Sequence, residues 1–199
     1  PVLSHPHECA DRAVRVAAVC VATVRIVIHG QSDPPITGDD AITANEDIAE
    51  LAGGLLGNDS DPEGNPFTVT SHDGVSVQGA DVTVNAAGAY SYDPRVSPAL
   101  QTIALGATGA DEFTYTISDG SGSNSATVVV TVHGANDSPV AVSDTDAALE
   151  DSILASGGIL GNDSDIDIGD TFSARAETIA SDHGGSVTVA ADGSFSYDG

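Results

Sequence analysis

Apolar and polar residues alternate at every second position through much of this chain, and no stretch longer than a few residues has helical spacing. Phe113, Tyr115 and Ile117 share one face of a segment, and Ala126, Val128, Val130 and Val132 share one face of the next. Between them, Asp119-Gly120-Ser121-Gly122-Ser123-Asn124 has the residues of a hairpin turn, which tolerate positive φ. Val82 with Val84 and Tyr90 with Tyr92 form further inward pairs. The pattern predicts seven strands, roughly 41–51, 67–77, 82–85, 89–93, 100–104, 112–118 and 125–132. Seven antiparallel strands in about 100 residues suggest a Greek-key β-sandwich.

The pattern is also duplicated. Leu56-Gly57-Asn58-Asp59-Ser60-Asp61 returns as Leu160-Gly161-Asn162-Asp163-Ser164-Asp165, and 19 of the 40 pairs from Ala22/Ala126 to Asp61/Asp165 are identical at a constant offset of 104. A period of this length is that of a domain, so the chain reads as a slice of a tandem array. Residues 1–33 are expected to be the C-terminal remnant of one repeat, with 1–21 poorly matched. Residues 34–137 form a complete copy, and 138–199 the N-terminal part of a following one. The expected fold class is all-β: tandem Greek-key β-sandwiches, one complete and two partial copies. The last copy lacks counterparts of 100–104, 112–118 and 125–132, so its inner face should be poorly packed or paired with another chain.

Alignment of the copies also bears on the turns. Asp73-Gly74 has hairpin composition but aligns with Thr178-Ile179, so it is expected to be a bulge. The shared turn is expected at Gln78-Gly79-Ala80-Asp81, against 182–185. If every strand reverses direction, the turns at 78–81 and 119–124 lie at the leading end of the sandwich. The loops 53–66 and 105–111 then lie at the trailing end. That ordering places Asp59, Asp61 and Glu63 beside Asn136 and Asp137.

Charge narrows the function. Thirty Asp and Glu stand against five Arg and no Lys, for a net charge of −25. Such a surface repels nucleic acid and anionic membranes and calls for counter-cations. Residues 13–28 are mostly apolar, but Arg15 and Arg25 interrupt them and the stretch is too short to span a bilayer. Cys9 and Cys20 both lie outside the repeats proper, which therefore carry no disulfide framework.

Within the acidic excess, Asp59-Ser60-Asp61-Pro62-Glu63-Gly64 offers an oxygen ligand at every second residue. Its partner is Asp163-Ser164-Asp165-Ile166-Asp167-Ile168-Gly169-Asp170. Alternate carboxylates converge on one cation, and Ca2+ takes such hard oxygen donors. Thr70 stands where an EF-hand would need its glutamate, so an EF-hand is not expected. The plainer alternative is a solvated turn in which Asp and Asn bond their own backbone. Asn136 and Asp137 are candidates because ligands shared across a short linker stiffen an array. Glu46 and Glu150 occupy one repeat position, fitting either a junction ligand or a strand cap, and Asp119 fits a ligand or an ordinary turn equally. His5, His7 and Cys9 alternate in the poorly matched terminus, while His29 and His133 share a repeat position that suggests a structural role. No motif supports a catalytic Ser/His/Asp arrangement, and the chain is not expected to be an enzyme.

Glu46-Asp47 and Glu150-Asp151, the two Leu-Gly-Asn-Asp-Ser-Asp loops, Phe113-Thr114-Tyr115-Thr116-Ile117-Ser118-Asp119-Gly120 and Gly134-Ala135-Asn136-Asp137-Ser138-Pro139 together resemble bacterial cadherin-like and VCBS-type repeats of large secreted adhesins. The resemblance covers residues 22–199. It implies an Ig-like sandwich, calcium at or near domain junctions, and an extracellular or bacterial cell-surface setting. The first junction departs from the pattern: Gln31-Ser32-Asp33-Pro34 lacks the Asn and leaves Asp33 as its carboxylate. The expected function is a non-catalytic, calcium-stiffened spacer or adhesion repeat, its partners being neighbouring repeats and a cell-surface glycan or protein. The alternatives are a glycan-recognition repeat and an accessory module of a larger secreted enzyme.

Overall fold

The computed structural model describes residues 2–10, 17–149, 152–182 and 184–199, with side-chain surroundings from Arg25 onward. It comprises two compact units, Pro1–Asp33 and Pro34–Gly199. The first is an antiparallel hairpin of β1 (Val2–Ala10) and β2 (Ala17–Arg25). Ile26, Val27 and Ile28, which align with the end of a strand in the repeat, follow β2 as exposed coil.

In the second unit, two facing sheets enclose one core. A four-stranded sheet has the order β3 (Asp40–Asn45), β9 (Ser123–His133), β8 (Thr108–Ser118), β5 (Thr68–His72). A three-stranded sheet has the order β4 (Glu50–Ala52), β7 (Tyr90–Asp93), β6 (Asp81–Val84). This is an Ig/cadherin-like β-sandwich. Its interior is the alternating set expected from the sequence: Phe113, Tyr115, Ile117, Val128, Val130 and Val132 are at most 1 % exposed, and Tyr90, Tyr92 and Val82 close the layer from the opposite sheet. The β8–β9 hairpin turns at Asp119–Gly122, with Gly120 at φ 93° and Asp119 Oδ1 accepting from the Ser121 and Gly122 amides.

Three strand expectations change. The segment 41–51 is two strands in different sheets, because the chain folds over after Asn45. The Ile48 amide bonds the Asn45 carbonyl and the Asp47 amide bonds Asn45 Oδ1, while Glu46 turns inward, fully buried. Residues 100–104 are not a strand: Leu100–Thr102 is a 3-10 turn, set by Ser97 Oγ accepting from the Leu100 amide and by the Ile103 amide on the Leu100 carbonyl. The bulge of 67–77 lies between Val69 and Ser71, not at Asp73-Gly74. At Asp73-Gly74 the chain instead crosses between sheets. Asp73 binds the Thr114 amide and hydroxyl on one side, and Gly74 accepts from the Val82 amide on the other. The following turn closes over Ser76–Ala80 with Gly79 at φ 97°, and its counterpart has Gly184 at φ 97°, one position away from the alignment expected at 182–185.

β3 runs parallel to β9, Asp40 opposite Val128 and Asn45 opposite His133. This register fixes the two ends of the sandwich. Residues 35–39 lie beside Asn124–Thr127 at the leading end, and Glu46 lies beside His133–Ala135 at the trailing end.

Within 138–199, β10 (Leu154–Ser156), β13 (Phe195–Asp198), β12 (Ser186–Val189) and β11 (Glu177–Ala180) form a single sheet in that order. Several anchoring bonds of the complete copy recur. The Ile36–Ser60 bridge becomes Val140–Ser164, and the Leu55 amide on the Gly88 carbonyl becomes Ile159 on Gly193.

Candidate functional site

The repeated acidic loop serves two separate purposes, and the structure divides its residues between them. Its first half is a staple. Asn58 Nδ2 donates to the Gly38 and Asp39 carbonyls. Asp59 Oδ1 accepts from the Gly38 amide at 2.9 Å, and Asp59 Oδ2 from the Tyr115 hydroxyl at 3.1 Å. In the second copy Asp163 Oδ1 accepts from the Val142 amide in the same way. Both oxygens of Asp59 are thus engaged in tying the leading segment to the core.

That contact also corrects the position expected for the loop. Ile36 and Ser60 exchange backbone hydrogen bonds, so 53–66 lies at the leading end, not beside Asn136 and Asp137. The six residue steps from Thr127 to His133 along β9 separate the two ends by roughly 20 Å. The turn at 76–80 moves to the trailing end for the same reason. Splitting 41–51 adds a reversal before these loops, and losing strand 100–104 removes one after them. The total of seven survives while the loops between exchange ends.

What meets Asp137 is the second copy's loop. The Asp137 amide donates to Asp167 Oδ2 at 2.9 Å, and the Ile168 amide to the Thr102 carbonyl at 3.1 Å. Asp165 Oδ1 accepts from the Asp167 amide, which shapes the turn. From the complete copy, Glu46 enters: its Oε1 accepts from the Ala135 amide at 2.6 Å, while its carbonyl accepts from Gln101 Nε2. Two oxygens are left over. Glu46 Oε2 and Asp167 Oδ1 are buried without a hydrogen-bond partner, in residues that are 0 % and 3 % exposed.

The electrostatics is one-sided. Burial pushes the Glu46 carboxyl above its ordinary range; the Ala135 and Ile103 amides oppose that, and Asp167 and Asp47 add to it. Asp137 is raised by partial burial and then by Asp47, Asp167 and Asp165. No Arg or His contributes to either shift. Among the described residues no three His, Cys, Asp or Glu side chains already converge at metal-ligating distances, so ligation here requires the junction carboxylates to draw together with backbone or water oxygens.

The remaining candidates are dispersed. Asp61 lies in the leading-end loop, its Oδ1 accepting from the Glu63 and Asn65 amides and its Oδ2 shielded without a partner. Glu63 and Asp170 are exposed; Asp119 is committed to its hairpin turn. Asn136 Nδ2 donates to the Asp137 carbonyl. Asp33 belongs to the other compact unit, and Glu150 lies outside the described residues. Asp47 was not among the sequence candidates, although its identity with Asp151 next to the paired glutamates could have singled it out.

An Ig-like sandwich followed by a second copy of its own leading half, with acidic residues of both meeting at the linker, defines a cadherin-like repeat. A model of the bacterial cadherin-like domain matches residues 32–134, and the chain belongs to that family. A model of the bacterial Ig domain matches residues 136–198. No match was found among curated protein sequences. Among solved structures, the chain is similar to endo-fucoidan hydrolase MfFcnA4 from glycoside hydrolase family 107, at 17 % identity and a TM-score of 0.33. That alignment covers 100 % of this chain but 29 % of the hydrolase, and a likeness this weak bears on neither fold nor activity.

Proposed function

We propose that this chain is a non-catalytic, calcium-binding repeat of an extracellular or cell-surface bacterial adhesin, and that the linker after residue 134 is its stiffening joint. The observation that carries the reading is the pair of buried, unpartnered carboxylate oxygens, Glu46 Oε2 and Asp167 Oδ1, contributed by consecutive copies. An isolated buried carboxylate is strongly disfavoured, and several near one another are worse unless a cation joins them. The donors are hard oxygens only, as Ca2+ prefers. Asp165, Asp137 and Asn136 complete the set. Without cation, mutual repulsion pushes the second loop away from the linker. With it, the loop, the Asp137 amide and the Thr102 contact close together.

For a dissociation constant of ~10⁻⁴–10⁻³ M, typical of extracellular modules, about 10 mM calcium stabilises a site by roughly 1.4–2.7 kcal/mol. Partners are then neighbouring repeats, and the ligand at the cell surface is a glycan or a protein. Glycan recognition by this copy itself is not favoured, since Tyr90, Tyr92, Phe113 and Tyr115 are all buried and offer no stacking platform. Among the described residues no helix is long and apolar enough to cross a membrane. Calorimetric calcium titration of the chain, with melting in calcium and in chelator, tests the proposal; identical melting curves in the two would defeat it.

A further inference from the structure

The first half of the repeated Leu-Gly-Asn-Asp-Ser-Asp motif takes no part in the junction, and its partners show what it holds. Residues 35–39 belong to no strand, yet each is tied to the body of the sandwich. Pro35 is fully buried, and its carbonyl accepts from Asn124 Nδ2 at 2.7 Å. Ile36 and Ser60 exchange backbone bonds, and Thr37 Oγ1 donates to the Ser125 carbonyl. The Gly38 amide donates to Asp59 Oδ1, while Asn58 Nδ2 donates to the Gly38 and Asp39 carbonyls, both at 3.0 Å. Asp39 Oδ1 accepts from the Thr127 amide at 2.9 Å, a charge-assisted bond. The attachment then passes directly into β3, which pairs with β9 from Asp40–Val128 to Asn45–His133 and ends with the Glu46 amide on the His133 carbonyl.

Direction gives this arrangement its consequence. The chain enters the complete copy at the leading end, through residue 34, and leaves β9 at the trailing end, through residue 134. Because β3 and β9 are parallel, a pull along the chain draws them in opposite directions along their common axis. The evenly spaced bonds of a parallel pair are then strained together, whereas a strand peeled from one end loses its bonds singly. A pull at residue 34 meets the staple on 35–39 before it reaches β3. The second copy repeats the device and shows what tunes it. Val140 and Ser164 exchange backbone bonds, and Asp163 Oδ1 accepts from the Val142 amide at 2.8 Å. Val142 stands where the complete copy has Gly38, and Asn162 Nδ2 reaches the Ser143 carbonyl at 3.4 Å. A Cβ on Gly38 would lie 3.0 Å from Asn58 Nδ2 and 3.2 Å from Asn58 Cγ, so glycine lets that amide settle between two carbonyls.

We propose that the Asn58–Asp59 staple on residues 35–39 and the parallel β3–β9 pair together form a tension clamp, which lets the repeat carry pulling force between neighbouring copies without unfolding. Asn58 is the lock of the clamp and Gly38 the residue that seats it. This role goes beyond the calcium reading and does not rest on it. The staple lies at the end of the sandwich away from Glu46 and Asp137, and its bonds need no metal.

The test holds the whole chain by its two ends at constant force in a single-molecule instrument. It times the unfolding step that releases the length of residues 35–133, in calcium and in chelator. Asn58→Ala should shorten the lifetime under force about tenfold, as the loss of two hydrogen bonds implies. Gly38→Val should act in the same direction, and it is expected to fold because the second copy already carries Val142 at that position. The factor for each variant should be the same in both buffers. Ser76→Ala is the control: it removes a buried hydroxyl bonded to Asp111 and Ala80, outside the line of force. For an equal loss of stability in urea, it should shorten the lifetime less than the staple variants do. The proposal is overturned if the staple variants last as long under force as the unsubstituted chain, or if they differ from it only in calcium. It is equally overturned if all three variants fall on one line relating lifetime under force to stability in urea.

Discussion

The backbone amide of Asp137 donates to Asp167 Oδ2 at 2.9 Å, across the boundary between two copies of the same repeat. It satisfies one oxygen of Asp167 and leaves the other buried and unpartnered, as Glu46 Oε2 is on the opposite side of the junction. Glu46→Gln should therefore have opposite effects in the two cation states. In chelator it removes a buried charge that Asp167 and Asp47 repel, and the melting temperature should rise by a few degrees. In about 10 mM calcium it removes a ligand, and most of a stabilisation of roughly 1.4–2.7 kcal/mol should disappear. Scanning calorimetry in both buffers checks the crossing.

Acidity should act with opposite sign on the free and the calcium-loaded chain. Glu46, Asp40 and Asp137 all have carboxyls raised above ordinary values of 4.5, 3.8 and 3.8, with burial the largest cause in each. Their folded forms hold protons more tightly than the unfolded chain does. Their contribution to stability is therefore fully present below those ordinary values, and is lost as pH rises through them to the raised folded ones. Calcium requires the ionised carboxylates, so its affinity should rise over the same window. Urea unfolding in chelator from about pH 4 to 7, beside calcium titrations at the same values, should give two trends of opposite slope. Parallel trends would contradict the assignment of Glu46 and Asp137 to the cation.

The inward faces were legible in the sequence because alternation is a local property: Phe113, Tyr115, Ile117 and the valines of β9 follow from period two alone. The resemblance likewise pointed to the linker, where the Asp137 amide meets Asp167. What could not be read was which copy each residue serves. That depended on the chain breaking after Asn45, where a side-chain bond to the Asp47 amide and a buried Glu46 override an otherwise strand-like run. It depended equally on Ser97 converting 100–104 from strand to turn. Asp59 illustrates this. It was expected beside the linker, but its oxygens accept from the Gly38 amide and the Tyr115 hydroxyl at the opposite end, contacts that no spacing along the chain reveals.

The Tyr115 hydroxyl lies within 2.9–3.1 Å of Asp40 Oδ2, the Leu55 carbonyl and Asp59 Oδ2, joining β3, the loop after β4 and β8 at one point. Tyr115→Phe keeps the ring and removes that donor. A loss of about 1–3 kcal/mol is expected, typical of leaving buried acceptors without their partner. Exchange protection of the Gly38 amide should fall with it, because Asp59 loses its anchor. Calcium affinity at the junction, at the opposite end of the sandwich, should be unchanged. A parallel loss of calcium binding would show that the two ends are coupled.

Asp111 presents the sharpest contrast with the junction carboxylates, because it is buried and yet fully satisfied. It accepts from the Tyr92 and Ser76 hydroxyls and from the Gln78 and Glu112 amides, and the Tyr92 phenol is pushed up by burial and then by this carboxylate. Asp111→Ala leaves two core hydroxyls and the Gln78 turn amide without this acceptor. A loss of about 3–5 kcal/mol is expected, as when one partner of a buried charged network is removed. Against marginal domain stability this approaches unfolding of the complete copy. Asp111→Asn retains an acceptor and should cost less than half as much. Calcium should rescue neither variant selectively, since Asp111 contributes nothing to the junction. Denaturant midpoints for both, measured with and without calcium, separate this satisfied carboxylate from Glu46, whose substitution should respond strongly to the cation.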